Sequence, residues 1–440
     1  MQTLPSDPRS GVALAPFRGI RYARNRVSGI ENVTSPPYDV ISGGSLEHLR
    51  AADPHNVVRL ILPGGDVGAP QAAARLLGQW LSDGVLIRDR MPALYLYEQA
   101  TSSWRQRGII GLVRLGTPET AGILPHEGVM PGPVAGRRQL MAATEANLEP
   151  IFLVYDGGQR AAEETAITAS EVVGRVADSR TPLFCIITED GVTHRLWRLD
   201  DPAEYDAIAA DLVGRRALIA DGHHRYAAYL ELQAQMHAAG HGAGPWDYGL
   251  AFLVDSEAFP PRLGAIHRVL PGLRLERAAE LAKAAFTVEV LPAGTGLAGA
   301  LRRLAEAGRY GTAFLLAGYD GYRLLSQPDQ VQAAASMPPG SSARWHDLDA
   351  SVLQQLLLGQ LWGIKDNEHD VLIYHDAAEA VAVVGAGQAT GTAVIVNPVP
   401  FEAVREIAEH GERVPRKSTS FGPKPRTGLV LRTFGPQPRR

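Results

Sequence analysis

The apolar positions of this chain fall into short runs of strand length and longer stretches of helical period. Pro16-Phe17-Arg18-Gly19-Ile20-Arg21-Tyr22 reads as an opening strand carrying two arginines. From Ser35 to Ser42, Pro36 and Pro37 hold the backbone extended, forbid a helix and present Tyr38 and Asp39. Asn56 to Pro63 is an apolar run read as a strand, with Arg59 its only charge. Ala69 to Asp83 has the period of an amphipathic helix closed by Gly84, and Ala93 to Gln99 returns to a strand. Gly122 to Pro133 is a loop rich in proline and glycine.

The same alternation continues through the middle third. Arg137 to Asn147 reads as a helix, Ile151 to Tyr155 as a strand and Ala161 to Ala177 as a helix. Leu183 to Thr188 and His194 to Leu199 make a hairpin around Asp190-Gly191. Ala217 to Ala220 is a short buried strand that runs into Asp221-Gly222, and a helical pattern starts at once, with Tyr226, Tyr229, Leu230 and Leu232 apolar. Gly249 to Val254 and Ala265 to Leu270 are further strands, the second enclosing His267-Arg268. Arg274 to Gln332 mixes helix, strand and loop, and Ser336 to Ser342 is a Pro/Gly/Ser-rich linker. Asp349 caps an apolar helix bearing Val352, Leu353, Leu356, Leu357 and Leu361. Val394 to Pro400 leads to a helix from Phe401 to His410, and Gly428 to Leu431 is a last apolar strand.

Composition narrows the class. At 440 residues and 45% hydrophobic, the chain can bury a large core and is long enough for two or three lobes. A net charge of −4 and a pI near 6.4 argue against a duplex nucleic-acid binder, which would carry a basic stripe. The lone Cys185 excludes an internal disulfide framework and suits a reducing cytoplasm. Met1 to Ser10 is polar and proline-containing rather than a secretory signal, and no apolar run approaches the roughly 18 residues of a membrane span.

Candidate chemistry concentrates in three stretches. Asp221-Gly222-His223-His224-Arg225 places two histidines and an arginine in the first turn of a helix, where the partial positive charge of the helix end disfavours cations. A phosphate would satisfy the arginine, the histidines and the free backbone N–H groups together. The alternative is a structural turn with Asp221 as N-cap. In the loop Leu124-Pro125-His126-Glu127-Gly128, Glu127 is a candidate general base, oriented by His126; a surface glutamate is the alternative. His-Glu here lacks the second histidine of a zinc-protease motif. His237 and His241 have the spacing of helix metal ligands, but Gly240 interrupts them and no third ligand is near.

Lysine use marks the third stretch. Only Lys283, Lys365, Lys417 and Lys424 stand among 43 basic residues, and two of these four fall in Lys417-Ser418-Thr419-Ser420-Phe421-Gly422-Pro423-Lys424. A compact ammonium suits polyphosphate. Gly411 to Ser418 has the spacing of a Walker loop, yet Arg416 stands where glycine is needed and a helix precedes it, so a P-loop is rejected.

Taken in order, Pro16-Phe17-Arg18-Gly19, Pro36-Pro37-Tyr38-Asp39-Val40-Ile41, Asn56-Val57-Val58-Arg59-Leu60, Leu124-Pro125-His126-Glu127, Ala220 to Tyr226, Asn397-Pro398 and Pro415 to Lys424 resemble the bacterial and archaeal family known as domain of unknown function 1015. The Asp-Gly-His-His-Arg turn is similar to the signature of the ParB and sulfiredoxin superfamily. There the matching turn binds nucleotide phosphates, and one branch is a free-serine kinase that makes O-phosphoserine. Near the end this chain departs from the family pattern at Val414, Arg416, Gly422 and Pro425-Arg426, while Lys-Ser-Thr and Pro-Lys survive.

The resemblance implies a mixed α/β fold with a ParB/sulfiredoxin-like nucleotide-binding core elaborated by further mixed-sheet lobes. The expected lobes are residues 1–150, 151–335 and 343–440. It also implies a kinase using ATP and Mg²⁺ on a small hydroxyl substrate, free L-serine first, with no nucleic-acid or membrane partner. Glu127, Asp221 and His224 are the expected catalytic residues, with Asp221 also the Mg²⁺ ligand. Gly222, His223, Arg225, Lys417, Ser418, Thr419 and Lys424 are expected to hold the nucleotide, and Asp39, Arg59 and His126 the substrate. The three stretches are expected to wall one pocket. A nucleotide-binding switch without catalysis would use the same turn without needing Glu127 as a base, and a phosphodiesterase or nuclease is a third alternative, against whose nucleic-acid substrate the net charge of −4 counts.

Overall fold

The computed structural model describes residues 11–64, 68–158, 167–367, 369–385 and 391–434. The N-terminal tail to Ser10 and the first residues of the helix expected from Ala161 lie outside them. Two compact units emerge. One takes the chain up to Pro125, Val129–Pro261 and the part from Pro423 onward; the other takes His126–Gly128 and Arg262–Gly422.

The first unit is built on a mixed sheet with strand order Ile123–Leu124, Ala217–Asp221, Ile151–Tyr155, Tyr248–Asp255, Arg105–Arg114, Leu94–Ala100, Thr193–Leu199, Phe184–Ile187. Its central strands read as unbroken apolar runs because they are buried along nearly their whole length, so no alternation of polar and apolar residues is needed. Ile151–Tyr155 runs parallel to Tyr248–Asp255 and antiparallel to Ala217–Asp221. The register of that last pair shifts between Ile219 and Asp221. Such an irregularity re-aims the strand end, here at the residue that opens the turn. Leu153, Ile219 and Leu253 meet Tyr226, Tyr229 and Leu232 of helix His223–Ala238 in one buried cluster. The expected 183–199 hairpin forms, pairing Thr193 with Ile187 and Leu196 with Phe184.

The second unit carries an antiparallel sheet ordered Thr287–Val290, Gly321–Ser326, Ala313–Gly318, Thr392–Val396, His267–Leu270, Leu372–Tyr374. Val269, Leu315 and Ile395 from the sheet pack with Leu304 and Val384 from helices Leu297–Gly308 and Ala377–Gly385. Helix Phe401–Glu409 forms as expected.

Several local expectations are corrected. Residues 56–63 are not a strand: Val58–Ile61 is a short helix. Val57, Val58, Leu60 and Ile61 are all fully buried, and an apolar run of that length does not distinguish a buried strand from a buried helical turn. The Asn56 side chain accepts the Val58 N–H at 2.9 Å and starts the turn. Tyr38–Val40 forms one 3₁₀ turn after the prolines instead of staying extended. The Asp349 helix continues over Leu353–Leu361 as a π-helix, with Leu356 and Leu357 fully buried. Leu429 to Leu431 are buried, but the strand at that end is Arg432–Thr433, paired with Ala146–Asn147. The three-lobe partition also differs from what forms, because the first unit's sheet draws strands from both sides of residue 150.

Candidate functional site

In the first unit, strand Ala217–Asp221 ends at Gly222, whose φ of +96° lies in the left-handed region. A Cβ there would meet Arg225 Nε and Ile151 Cγ2, each at 3.1 Å, so glycine is required both for conformation and for space. Helix His223–Ala238 begins in the next residue.

Charge gathers around the turn. The buried Arg225 guanidinium pairs with Asp221 Oδ2 one helical turn away and donates a second bond to the Pro150 carbonyl. The Lys424 ammonium lies 2.5 Å from Asp221 Oδ1 and 2.9 Å from Asp39 Oδ2, bridging two carboxylates. Glu149, also buried, accepts the Tyr38 N–H at 3.1 Å and the Thr427 hydroxyl at 3.3 Å. Its other oxygen is 3.8 Å from Arg137 Nη1, and the Arg137 guanidinium stacks 4.2 Å above the Tyr38 ring.

These contacts set the protonation states. Burial alone would raise the Asp39 carboxyl, but Lys424 and Arg225 outweigh it and hold it below its ordinary value. Burial would lower the Lys424 ammonium, and Asp221 and Asp39 reverse this, so it stays charged above its usual range. Glu149 is raised, because its burial exceeds the help of Arg225 and Arg137.

The charge argument drawn from the sequence is therefore met within the unit. Arg225, expected on a phosphate, is buried and neutralised by Asp221, where it holds the strand end to the helix. His224 Nε2 accepts the Met130 N–H at 3.1 Å, which makes that ring nitrogen unprotonated and the ring uncharged in this arrangement. His223 is 9% exposed at the helix start. Asp221, expected to hold Mg²⁺, has one oxygen on Arg225 and the other on Lys424. Among the described residues no group of three His, Cys, Asp or Glu could hold a metal ion. His237 instead pairs with Asp247 at 2.8 Å. Arg59 sits in the Val58–Ile61 helix rather than on a strand, and its guanidinium donates to the Arg50 carbonyl at 2.7 Å.

The other expected residues belong to the second unit. His126 is fully buried, and its Nε2 is 2.9 Å from the Thr419 hydroxyl, which in turn donates to Glu127 Oε1 at 3.0 Å. A hydroxyl has one proton, so with that proton on Glu127 the histidine Nε2–H must be the donor to Thr419. His126 thus orients Glu127 through Thr419, a link that spans 292 residues of sequence. The Val414 N–H donates to the His126 carbonyl at 2.9 Å and fixes the same loop. Ser418, expected on a phosphate, is buried and donates its hydroxyl to the Pro415 carbonyl. Lys417 is exposed and has a φ of +55°, a strained conformation for a side-chain-bearing residue. Arg268 secures that strain by donating to the Lys417 carbonyl at 2.8 Å. Burial pushes the Arg268 guanidinium down to about 10.

Sequence reasoning missed Glu149 and Arg137. The only signal for Glu149 was a single carboxylate between Leu148 and Pro150. Arg268 was visible as a charge inside an apolar run, without its partner.

Residues 14–351 match the family described as protein of unknown function, DUF1015, and this chain belongs to that family. No curated protein matches it in sequence. Among solved structures it is similar to a free serine kinase in complex with AMP, at 14% identity and a TM-score of 0.35, covering 71% of this chain and 87% of that one. It is also similar to SbnI from Staphylococcus aureus, truncated at its C-terminus, at 11% identity and a TM-score of 0.33, covering 71% and 82%. A conserved hypothetical protein from Pyrococcus furiosus gives 13% identity and a TM-score of 0.34 over 71% and 90%. Among the described residues no helix is long and apolar enough to cross a membrane.

Proposed function

We propose that this protein is a nucleotide-dependent phosphotransferase acting on the hydroxyl of a small metabolite, with free L-serine the first acceptor to test. The observation that carries the reading is the Asp221-Gly222-His223 turn, where a left-handed glycine opens a 16-residue helix beside a lysine held by two carboxylates. Phosphoryl transfer asks a protein mainly for alignment and for positive charge near the phosphates. The first helical N–H groups, His223 and Lys424 supply that inventory. Asp221 and Arg225 are positioning residues in this reading, because they fix the turn and the ammonium.

Glu127 is the candidate for the proton. In the transfer the acceptor oxygen forms its bond to the γ-phosphorus, the bond from that phosphorus to the β–γ bridging oxygen breaks, and the hydroxyl proton passes to a base, the role for which Glu127 is the residue to test. Thr419 and His126 hold the Glu127 carboxylate in one orientation. No step is assigned to Mg²⁺ bound by Asp221.

The test is incubation with ATP and a pool of hydroxyl amino acids, with ADP and phosphorylated product followed by mass spectrometry. Wild type should form product, and Glu127→Gln should lower the rate by about 10²–10⁴-fold while nucleotide affinity is kept. Absence of product with every nucleotide and acceptor would defeat the reading. If nucleotide binding alone persisted, the protein would be a nucleotide-responsive switch.

A further inference from the structure

The second unit contains a cavity of about 430 Å³, within the size range of small-metabolite sites. It opens between the C-terminal end of helix Leu297–Gly308, the short helix Ala343–His346 and Asn397-Pro398-Val399-Pro400. The Asn397-Pro398 pair is a sequence motif that the proposed phosphotransfer leaves without a task. Its walls carry both signs of charge, from Arg309, Arg344, Asp347 and Asp349. Among the described residues, the side chains of Arg309 and Asp347 are exposed and make no hydrogen bond or ion pair, and Arg344 makes no hydrogen bond but lies close enough to Glu412 to lower that carboxyl. Unpaired charges on a concave wall are free to recognise a ligand.

The cavity is also built to stay open. A Cβ on Gly308 would lie 2.3 Å from Asn397 Nδ2, so any larger residue would displace the asparagine from the wall. Asn397 is held by donating to the Leu304 carbonyl at 3.4 Å. Pro398 and Pro400 stiffen the segment on either side of Val399. At the floor, Asp349 accepts hydrogen bonds from the Thr312 hydroxyl and the Ala313 N–H.

We infer that this cavity binds a small zwitterionic metabolite of the amino-acid class, its oxyanion held by Arg309 and Arg344 and its ammonium by Asp347 and Asp349. Two guanidiniums and two carboxylates make a wall of balanced charge. Such a wall favours a ligand carrying both signs over a plain anion, whose charge would meet the carboxylates unrelieved. Burial pushes the Asp349 carboxyl up to about 6, so an ammonium beside it would stabilise the charge that burial disfavours.

The inference stands apart from the phosphotransferase reading, and its test uses no nucleotide. L-Glutamate and glutarate differ by one ammonium group, and their binding to the full chain is compared by calorimetry. Glutamate should bind with an affinity of order 1 mM or better and more tightly than glutarate. The double variant R309Q/R344Q should weaken glutamate binding at least about tenfold, and Asp347→Asn should reduce its advantage over glutarate. Arg309 and Asp347 lie outside any internal ion pair, and a wild-type circular dichroism spectrum and melting point would verify that each variant folds. Failure of both probes to bind, glutarate binding as well as glutamate, or binding indifferent to R309Q/R344Q would each overturn the inference.

Discussion

Replacing Lys424 by methionine removes one ammonium from between Asp39 and Asp221 and leaves two carboxylates to find other partners. Removing one member of a fully buried pair typically costs about 3–5 kcal/mol. Two features reduce that here. Asp221, 7% exposed, keeps Arg225 on its other oxygen, while the Asp39 side chain is 35% exposed and screened by solvent. The expected loss is about 2 kcal/mol, which for a unit of this size lowers the melting midpoint by roughly 4–8 °C.

The pH dependence of that loss follows from the two shifts. Lys424 is raised in the fold, so its contribution is complete below the unfolded value of 10.5 and disappears as pH climbs through the folded one. Asp39 is lowered, so its contribution is complete above 3.8 and disappears as pH falls through its folded value. The difference between wild type and Lys424→Met should form a plateau across neutral pH and shrink in acid. Calorimetric or fluorimetric melting at a series of pH values measures it. A double-mutant cycle with Asp39→Asn should give a coupling of about 1 kcal/mol; a coupling below about 0.3 kcal/mol would refute the bridging role assigned to the ammonium.

Two further outcomes are expected. Gly222→Ala should destabilise the first unit by about 1–3 kcal/mol, from the left-handed backbone and the crowding of Arg225 and Ile151, read as a lower urea midpoint. Asp349 is raised from 3.8 to about 6, so in the wild type its contribution is complete below the unfolded value and is lost as pH rises through the folded one. Asp349→Asn should therefore be more stable than wild type at pH 7.5, by at most about 3 kcal/mol, with the advantage gone below about pH 4. Chemical denaturation at the two pH values tests the sign.

The elements that were legible in the sequence have local causes. The Ala69–Ser82 helix, the 183–199 hairpin and the strand-turn-helix at Asp221-Gly222 follow from periodicity, Asp-Gly turns and the glycine's special backbone, all short-range properties. Residues 56–63 failed for a related reason. An octet that is apolar apart from Asn56 and Arg59 shows no clear period, and only the surrounding core decides whether it coils or extends.

The candidate site shows the same division. Sequence by itself determined which residue types gather at the turn, that a glycine stands at 222, and that lysine rather than arginine stands at 417 and 424. It did not determine what those charges face. Arg225 seemed misplaced at a helix start only while Asp221, four residues back, was not counted as its partner; the fold turns that carboxylate onto the guanidinium. Lys424 gained both its carboxylate partners, and Glu127 its hydroxyl, from residues hundreds of positions away. Electrostatics depends on distance in space and on burial, and both are set by how strands and loops far apart in the chain are brought together. Local periodicity carries no record of either, so the tertiary structure alone decided which charges at the Asp-Gly-His-His-Arg turn are already satisfied.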